Sequence, residues 1–394
     1  MEEESPIVDF SNTQIAFSNK SDRELIRTLR LFQLMNNPSL VNLGTKLSLT
    51  ALKLHIPLTQ TLIKQTIYKQ FCGGTSLRDT QATVNHLRKY KVLAILDYGA
   101  EGLSDEEDLD KTREEFVRAV EFAASNTSIP VVSVKVTALA DKALLEKVQS
   151  GATLSSLEHN AFKRVVSRVN DICQRASELE VRIFIDAEES WLQNPIDHMV
   201  EEMMKKYNRE RVTVYNTFQM YRTDRLAYLQ QSYEEAKSEG YQLGAKLVRG
   251  AYMEKERQRA LEMGYPSPIH ASKEDTDKAY DDGIRFCIDH YEDMASCNAS
   301  HNTESNRLQA ELVIKKGIHP HHPHINFCQL YGMSDNITFN LAAAGFNVAK
   351  YVVYGPVSTV IHYLVRRAQE NTSITGDMSR ELGLLIKEKE RRGL

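Results

Sequence analysis

Short apolar runs alternate with longer amphipathic segments from about residue 90 onward. Eight runs have the length of β-strands and cover residues 92–97, 131–139, 181–186, 212–218, 243–248, 295–300, 325–330 and 348–354. Between them, apolar residues recur at helical spacing, and Gly240, Gly317 and Gly345 follow three of these segments, where left-handed residues commonly end helices. Eight strand–helix units in series predict an α/β protein with a closed, TIM-like (βα)8 barrel.

The first 89 residues have a helical pattern instead. Ser21 and Glu24 have the spacing of a capping box in front of an apolar helical repeat. Ser76 or Asp79 is placed to begin a further helix. The sequence therefore predicts an N-terminal helical segment over residues 1–89 and a barrel with a C-terminal helix over residues 90–394.

Composition excludes several classes of protein. The 394 residues carry a net charge of −4, which gives no electrostatic footprint for nucleic acid. The five cysteines show no CxxC spacing, which is typical of a reducing compartment. No apolar run has the length of a membrane span, and the acidic N-terminus argues against a signal or transit peptide. We expect a cytoplasmic protein and leave a peripheral membrane contact open.

Polar residues stand at or near the end of every predicted strand. In a barrel, the catalytic residues come from the carboxyl ends of several strands. The candidates are Asp97, Lys135, Asp186, Gln219, Lys246 with Arg249, His301 with Asn302, Gln329 with Tyr331, and Tyr354. A ring of acids, bases and amides of this kind predicts an active site at that end of the barrel.

The segment after the last strand adds a group of charges. Tyr363, Arg366, Arg367 and Glu370 are spaced i, i+3, i+4 and i+7, so they share one helix face. Arginine grips a carboxylate through its planar fork, and a glutamate accepts from an ammonium group. The face is suited to a zwitterion, although a solvated helix with one surface ion pair would have the same spacing.

Absent motifs narrow the chemistry. The chain has no GxGxxG or P-loop, no HExxH and no GxSxG, and no recognisable metal-ligand spacing. The histidine-rich stretch 319–324 precedes a strand, on the side away from barrel active sites, and is interpreted as a solvated loop. Three hypotheses remain: a flavin-dependent amine oxidation, a Schiff-base aldolase using Lys135 or Lys246, and an amino-acid-binding barrel without turnover.

Five segments resemble one known family, proline dehydrogenase. They are Val132-Ser-Val-Lys135-Val-Thr-Ala-Leu139, Phe184-Ile-Asp186-Ala-Glu188, Lys246-Leu-Val-Arg249-Gly-Ala-Tyr252, Ala299-Ser-His301-Asn302, and Tyr354-Gly-Pro followed by Tyr363-Leu-Val-Arg366-Arg367-Ala-Gln-Glu370. The resemblance covers roughly residues 90 to 375. It implies a distorted (βα)8 barrel that binds FAD and oxidises L-proline to Δ1-pyrroline-5-carboxylate, with a quinone as electron acceptor. It also implies a monofunctional enzyme, mitochondrial if the source is eukaryotic, with a peripheral position on the inner membrane.

The resemblance implies a role for each matching residue. Arg366 and Arg367 match a pair that holds the proline carboxylate, Lys135 and Glu370 match an ion pair at the substrate, and Asp186 matches an acid near the substrate nitrogen. The ring-packing positions are Leu247, Tyr252, Tyr354 and Tyr363. The flavin positions are Gln219, Lys246, Arg249, His301, Asn302 and Gln329, with Lys246 near flavin N5 as a catalytic group together with Lys135 and Asp186. No metal is implied.

Two positions depart from the family pattern, and one bears on the substrate. His362 stands where a proline is common, and Cys328 stands where a glycine is common. The resemblance implies no role for either residue, so the two departures affect local geometry only. Tyr354 is bulky, and a smaller residue there would admit a 4-hydroxyl group. We therefore expect proline as substrate, with hydroxyproline as the alternative.

Overall fold

The strands form one parallel sheet that closes on itself. The computed structural model describes residues 7–54, 56–100, 102, 104–370 and 377–394. The strands in this part of the chain are β1 (Cys72–Gly74), β2 (Leu93–Tyr98), β3 (Val131–Val134), β4 (Arg182–Ile185), β5 (Val214–Gln219), β6 (Leu243–Val248), β7 (Met294–Ala299), β8 (Ile325–Leu330) and β9 (Val348–Tyr354). Their order is β1-β9-β2-β3-β4-β5-β6-β7-β8, and β9 also pairs with β8. The prediction of an α/β, TIM-like barrel is confirmed, and all eight predicted strands are present.

Helices precede the barrel strands and separate them. The helices up to β5 are α1 (Thr13–Ala16), α2 (Asp22–Met35), α3 (Pro38–Lys53), α4 (Thr59–Ile63), α5 (Lys69–Phe71), α6 (Leu77–Arg88), α7 (Glu106–Ala124), α8 (Lys142–Gln149), α9 (Ser156–Glu178) and α10 (Ser190–Tyr207). The later helices are α11 (Arg225–Glu239), α12 (Met253–Met263), α13 (Lys273–Asp289), α14 (Thr303–Lys315), α15 (Asp335–Ala343), α16 (Val357–Glu370) and α17 (Asp377–Arg391). A π-helical stretch, Lys64–Tyr68, joins α4 to α5. No helix in the described ranges has the length and apolar character that crossing a membrane requires.

The chain divides into two compact units. The first comprises Met1–Gly99, His301–Thr303 and Cys328–Leu394, and the second comprises Ala100–Ser300 and Glu304–Phe327. The first unit therefore holds the N-terminal helices together with β1, β2, β9 and α15 to α17. The second holds β3 to β7 with the helices that connect them.

Helix starts in the first unit follow the sequence signals. Ser21 and Glu24 form the predicted capping box: the Ser21 backbone N–H donates to Glu24 Oε2 at 2.9 Å, and Ser21 Oγ accepts from the Glu24 N–H. Ser76 caps α6 by accepting from the Asp79 N–H. Gly240, Gly317 and Gly345 all have positive φ angles, as expected of residues that end helices.

Residues 72–74 correct the helical prediction for residues 1–89. They form strand β1, which pairs in parallel with β9, Cys72 opposite Val353 and Gly74 opposite Tyr354. The backbones come this close because Gly73 has no side chain: a Cβ there would lie 2.2 Å from Val352 Cγ1. A long-range contact of this kind leaves no local apolar pattern in the sequence.

The second correction concerns the strand predicted over 131–139. β3 ends at Val134, and a 3-10 turn follows over Val136–Ala138. Val136, Thr137, Ala138 and Leu139 are all buried. The apolar run continues because the turn lies in the interior, not because the strand does.

Candidate active site

Two lysines and one aspartate meet at the carboxyl ends of the strands in the second unit. Lys246 Nζ lies 2.5 Å from Asp186 Oδ1, and Lys135 Nζ lies 3.2 Å from Asp186 Oδ2. Ser133 Oγ donates to Asp186 Oδ1 at 2.9 Å. The side chains of Lys246, Lys135 and Asp186 are 5%, 13% and 15% exposed, so the charges are largely removed from water. Three residues predicted as catalytic are thus in direct contact.

The strand register brings these residues together. β3 and β4 pair in parallel with Val134 opposite Ile185, so Lys135 and Asp186 leave the sheet side by side. The Asp186 N–H donates to the Val134 carbonyl at 2.9 Å and fixes this arrangement. Lys246 comes from β6, and its ammonium group lies 5.4 Å from the centre of the Phe184 ring, within the range of a cation–π contact.

Glu188 contacts two predicted site residues, Gln219 and Tyr252, and also Thr137, although sequence reasoning gave it no role. Its Oε1 accepts from Thr137 Oγ1 at 2.5 Å, and its Oε2 accepts from the Tyr252 hydroxyl at 2.8 Å. Its backbone carbonyl accepts from Gln219 Nε2 at 2.7 Å. Burial raises the pKa of Glu188 to about 7, against the lowering effect of the Thr137 hydrogen bond. Its place two residues after Asp186, in a segment with the family resemblance, was the available signal.

Arg249 is held rigidly by its surroundings. Its Nε donates to Asp277 Oδ1 at 2.8 Å, its Nη1 to Ser300 Oγ at 2.8 Å and its Nη2 to Ser305 Oγ at 2.9 Å. The guanidinium lies 4.3 Å from the centre of the Tyr280 ring. A guanidinium fixed on all sides presents its charge with little loss of entropy on binding an anion.

Steric constraints explain why the residue after Arg249 is a glycine. Gly250 has φ +133°, a conformation that side chains disfavour, and a Cβ there would lie 2.4 Å from the Tyr221 ring. This turn ends β6 and leads to Tyr252, which is half-buried. The neighbouring Leu247 is buried in β6.

The first unit holds the predicted substrate helix. As expected, β9 ends before Gly355, and α16 begins at Val357. Tyr363 and Arg367 lie on one face of α16, with the guanidinium carbon 5.4 Å from the ring centre. Both side chains are buried, whereas Arg366 is half-buried. The Glu370 side chain lies outside the described part of the structure, so its predicted ion pair with Lys135 stays a prediction.

Tyr354 packs where β9 ends. Its side chain is fully buried, and its ring centre lies 5.4 Å from that of Tyr98 in β2. Tyr98 and Tyr354 are opposite each other in the parallel pairing of β2 with β9. An aromatic pair at these strand ends forms a rigid wall in the first unit.

His301 has partners that sequence reasoning missed. The His301 Nδ1 and Ser334 Oγ are 2.8 Å apart, and the His301 carbonyl accepts from Arg380 at 2.9 Å. The Ser334 N–H in turn donates to both carboxylate oxygens of Glu381, at 2.9 and 3.1 Å. Helix α17 therefore positions His301, and nothing in the local sequence indicated that it would.

The structure also describes Gln329, Asn302 and the histidine-rich stretch. Gln329 is buried in β8, and its Oε1 accepts from Thr338 at 2.8 Å. Asn302 is half-buried beside His301. The histidine-rich stretch forms a loop in which His322 and His324 contact each other through their rings. Over the described ranges, no group of three or more His, Cys, Asp or Glu side chains is arranged to hold a metal ion.

Comparison with known proteins identifies the family. Residues 80–380 match the family model of proline dehydrogenase. The chain belongs to this family. It is 31% identical over 432 residues to proline dehydrogenase 1, mitochondrial, of Dictyostelium discoideum, and the match covers 97% of this chain and 74% of the relative. It is 29% identical over 413 residues to hydroxyproline dehydrogenase of Xenopus laevis, covering 95% of this chain and 88% of the relative.

A solved structure has the same fold. The chain superimposes with a TM-score of 0.71 and 20% identity on proline utilization A (PutA) from Bdellovibrio bacteriovorus inactivated by N-propargylglycine. The match covers 95% of this chain but 40% of that one, so this proline dehydrogenase family member spans less than half of the PutA chain.

Proposed function

We propose that this protein oxidises L-proline to Δ1-pyrroline-5-carboxylate, with FAD as its cofactor and a quinone as the final electron acceptor. The observation that carries the proposal is the buried Lys135–Asp186–Lys246 cluster at the strand ends of a chain of the proline dehydrogenase family. Two ammonium groups beside one carboxylate hold that carboxylate in a fixed position.

In the first unit, α16 supplies the substrate anchors. Arg366 and Arg367 bind the proline carboxylate, because a guanidinium pairs with a carboxylate through two parallel hydrogen bonds. Tyr354 and Tyr363 flank the pyrrolidine ring. The buried position of Tyr363 and Arg367 supports this role, since an anchor removed from water binds a carboxylate more strongly than an exposed one.

In the second unit, Asp186 orients the substrate amine by accepting its N–H, and Lys135 holds the aspartate in place. Leu247 and Tyr252 complete the apolar wall. The proline nitrogen donates its lone pair as hydride leaves the neighbouring ring carbon, so no protein base has to remove a proton from carbon. Positioning and exclusion of water are therefore the main tasks of these residues.

The donor set fits FAD. Lys246, the rigid Arg249 and the amide of Gln219 supply positive charge and hydrogen-bond donors at neighbouring strand ends, as an anionic cofactor requires. When bound, FAD would accept the hydride. We propose that Lys246 favours the reduced, negatively charged flavin electrostatically. His301, Asn302 and Gln329 stay predicted flavin contacts.

The proposed quinone acceptor indicates where in the cell the protein acts. A membrane quinone calls for a peripheral position on the membrane that contains it. The Dictyostelium relative is named as mitochondrial, which supports the inner mitochondrial membrane for a eukaryotic source over a purely cytoplasmic location.

Spectroscopy on the purified protein tests the reaction. The protein should be yellow, should bleach when L-proline is added without oxygen, and should release its flavin on acid precipitation because attachment is non-covalent. D-proline is the matched control and should leave the flavin spectrum unchanged. A colourless protein that takes up no FAD would refute the proposal. Trapping of a carbonyl substrate on Lys135 or Lys246 by borohydride would instead favour the aldolase.

The second candidate substrate is trans-4-hydroxy-L-proline. It is supported by the similarity to the Xenopus protein named hydroxyproline dehydrogenase. We favour proline because Tyr354 is bulky and already packed against Tyr98, which leaves little room for a 4-hydroxyl group at that position.

A further inference from the structure

Helix α3 packs against the protein far less than its composition would suggest. Five of its sixteen residues are leucine and one is valine, yet Val41 alone of these sixteen, all of which the structure describes, is buried. A surface helix of a globular protein normally buries an apolar stripe over its whole length. This helix therefore carries apolar surface that the rest of the described chain does not cover.

The exposed leucines form one stripe. Leu40, Leu43, Leu47 and Leu54, at the end of the helix, are spaced i, i+3, i+7 and i+14, so they fall within a narrow sector of the helix surface. Each is at least half exposed. Leu58, just before the neighbouring α4, and Leu62, within it, are exposed by 79% and 65%. Single exposed leucines are ordinary, but a contiguous apolar patch marks an interaction site.

A different face of α3 makes the internal contacts. Leu40, Val41 and Ser48 border an apolar hollow of about 300 Å³, whose lining also includes Leu364 and Ala368 of α16, so Leu40 lies where the leucine stripe meets the hollow. Val41 and Ser48 point about a quarter turn away from Leu40 and further away from Leu43 and Leu47. Leu43, Leu47 and Leu54 thus form a second apolar face that does not border the hollow.

The charge of this region indicates the partner. Between Leu25 and Arg78 the sequence has seven lysines and arginines and no aspartate or glutamate, although the whole chain has a net charge of −4. Lys46 and Lys53 lie on α3 beside the leucine stripe, and both are exposed. An apolar stripe flanked by lysines is typical of helices that lie in the interface of an anionic membrane, where the long side chains reach the headgroups.

We propose that α3 and the start of α4 form a docking surface for an anionic lipid bilayer, with the leucine stripe buried among the acyl chains and Lys46 and Lys53 at the headgroups. The proposal deepens the proposed function, because a quinone acceptor is dissolved in such a bilayer. A second copy of the chain is a poorer occupant, since two surfaces of the same strong positive charge repel each other.

Vesicle binding tests the surface. The flavin-loaded full chain is sedimented with vesicles of phosphatidylcholine containing about one third phosphatidylglycerol, and with phosphatidylcholine alone. We expect binding at least roughly tenfold tighter to the anionic vesicles. Leu43→Gln/Leu47→Gln should lower binding by about tenfold or more, and Lys46→Gln/Lys53→Gln should lower it mainly on anionic vesicles.

A matched control comes from the other unit. Leu157 and Leu261 are 81% and 78% exposed, so Leu157→Gln/Leu261→Gln removes equally exposed leucines and should leave vesicle binding unchanged. Equal binding by wild type and both α3 variants would overturn the proposal. So would light scattering that shows a dimer without lipid, converted to a monomer by the Leu43/Leu47 substitutions.

Activity with a soluble dye acceptor separates this proposal from the proposed reaction. The α3 variants should keep wild-type circular dichroism and wild-type proline oxidation with the dye. Vesicle binding without proline turnover would support the docking surface and count against the reaction. Turnover without vesicle binding would support the reaction and overturn the docking surface.

Discussion

Replacing Asp186 with asparagine should destabilise the protein far more than the same change at an exposed ion pair. Asn keeps the shape of the side chain but removes the negative charge from beside the ammonium groups of Lys135 and Lys246. Breaking a largely buried ion pair by neutralising one partner typically costs about 3–5 kcal/mol. Neutralising a surface partner typically costs about 1 kcal/mol or less.

The chain offers a control ion pair with the same N–O distance. The Lys278–Asp282 pair also has an N–O distance of 2.5 Å, but its side chains are 76% and 35% exposed, against 5% and 15% for Lys246 and Asp186. Coulomb's law at equal dielectric would give both pairs the same energy at this distance. The difference between Asp186→Asn and Asp282→Asn therefore measures the combined effect of burial and of the further contacts of Asp186 with Lys135 and Ser133.

Thermal unfolding followed by circular dichroism provides the measurement. In a chain of this size, each kcal/mol moves Tm by roughly 1–2 °C, so Asp186→Asn should lower Tm by about 5 °C and Asp282→Asn by about 2 °C or less. In a double-mutant cycle, Lys246→Met should cost less in the Asp186→Asn background than in wild type. Equal Tm values for the two Asn variants would refute the conclusion that burial makes this cluster strong.

Three further predictions concern the substrate and pH. Tyr354→Ser should shift the ratio of kcat/KM toward trans-4-hydroxy-L-proline by roughly tenfold to two hundredfold, and an unchanged ratio would mean that Tyr354 does not contact the ring. Arg367→Met should lower kcat/KM for proline by about two to three and a half decades in flavin-loaded enzyme, whereas a drop of less than tenfold would mean that Arg367 does not bind the substrate carboxylate. Folding raises the pKa of Glu188 to about 7 from an ordinary 4.5, so the stabilising effect of its bound proton is complete below pH 4.5 and is lost as pH rises toward 7. Glu188→Gln should therefore show a smaller fall in Tm across that range than wild type, and parallel pH profiles would contradict the assignment.

The barrel strands could be predicted because each is formed by one continuous apolar segment of the sequence. A buried parallel strand needs an apolar run, and all six residues of β5 and all seven of β9 are buried. β1 escaped prediction because its three residues pair with β9 through the absence of side chains at Gly73, a property of two segments far apart in the chain. Periodicity within one segment cannot record such a pairing.

The site residues also divide into those that the sequence predicted and those that it missed. Lys135, Asp186 and Lys246 were found because strand ends are identifiable in the sequence and converge in a barrel. Glu188 and Ser334 were missed because their importance lies in the residues that they hold, Tyr252 and His301, and not in their own position along a pattern. Supporting residues of this kind are defined by three-dimensional contacts, so a sequence pattern indicates them poorly.

Helix α16 connects the two proposals through its geometry. Ile361, Leu364 and Ala368 line the hollow beside α3, whereas Tyr363 and Arg367 lie on the opposite side of the same helix. A helix moves as a rigid body, so a change in how the hollow is filled must also move the face that carries the proposed carboxylate anchors. If the docking surface inserts into a bilayer, any displacement of α3 changes the hollow directly, because α3 borders it. The apparent KM for proline should then differ between vesicle-bound and free enzyme. That difference should disappear in Leu43→Gln/Leu47→Gln, because this variant keeps both arginines and loses only the binding of α3 to the membrane.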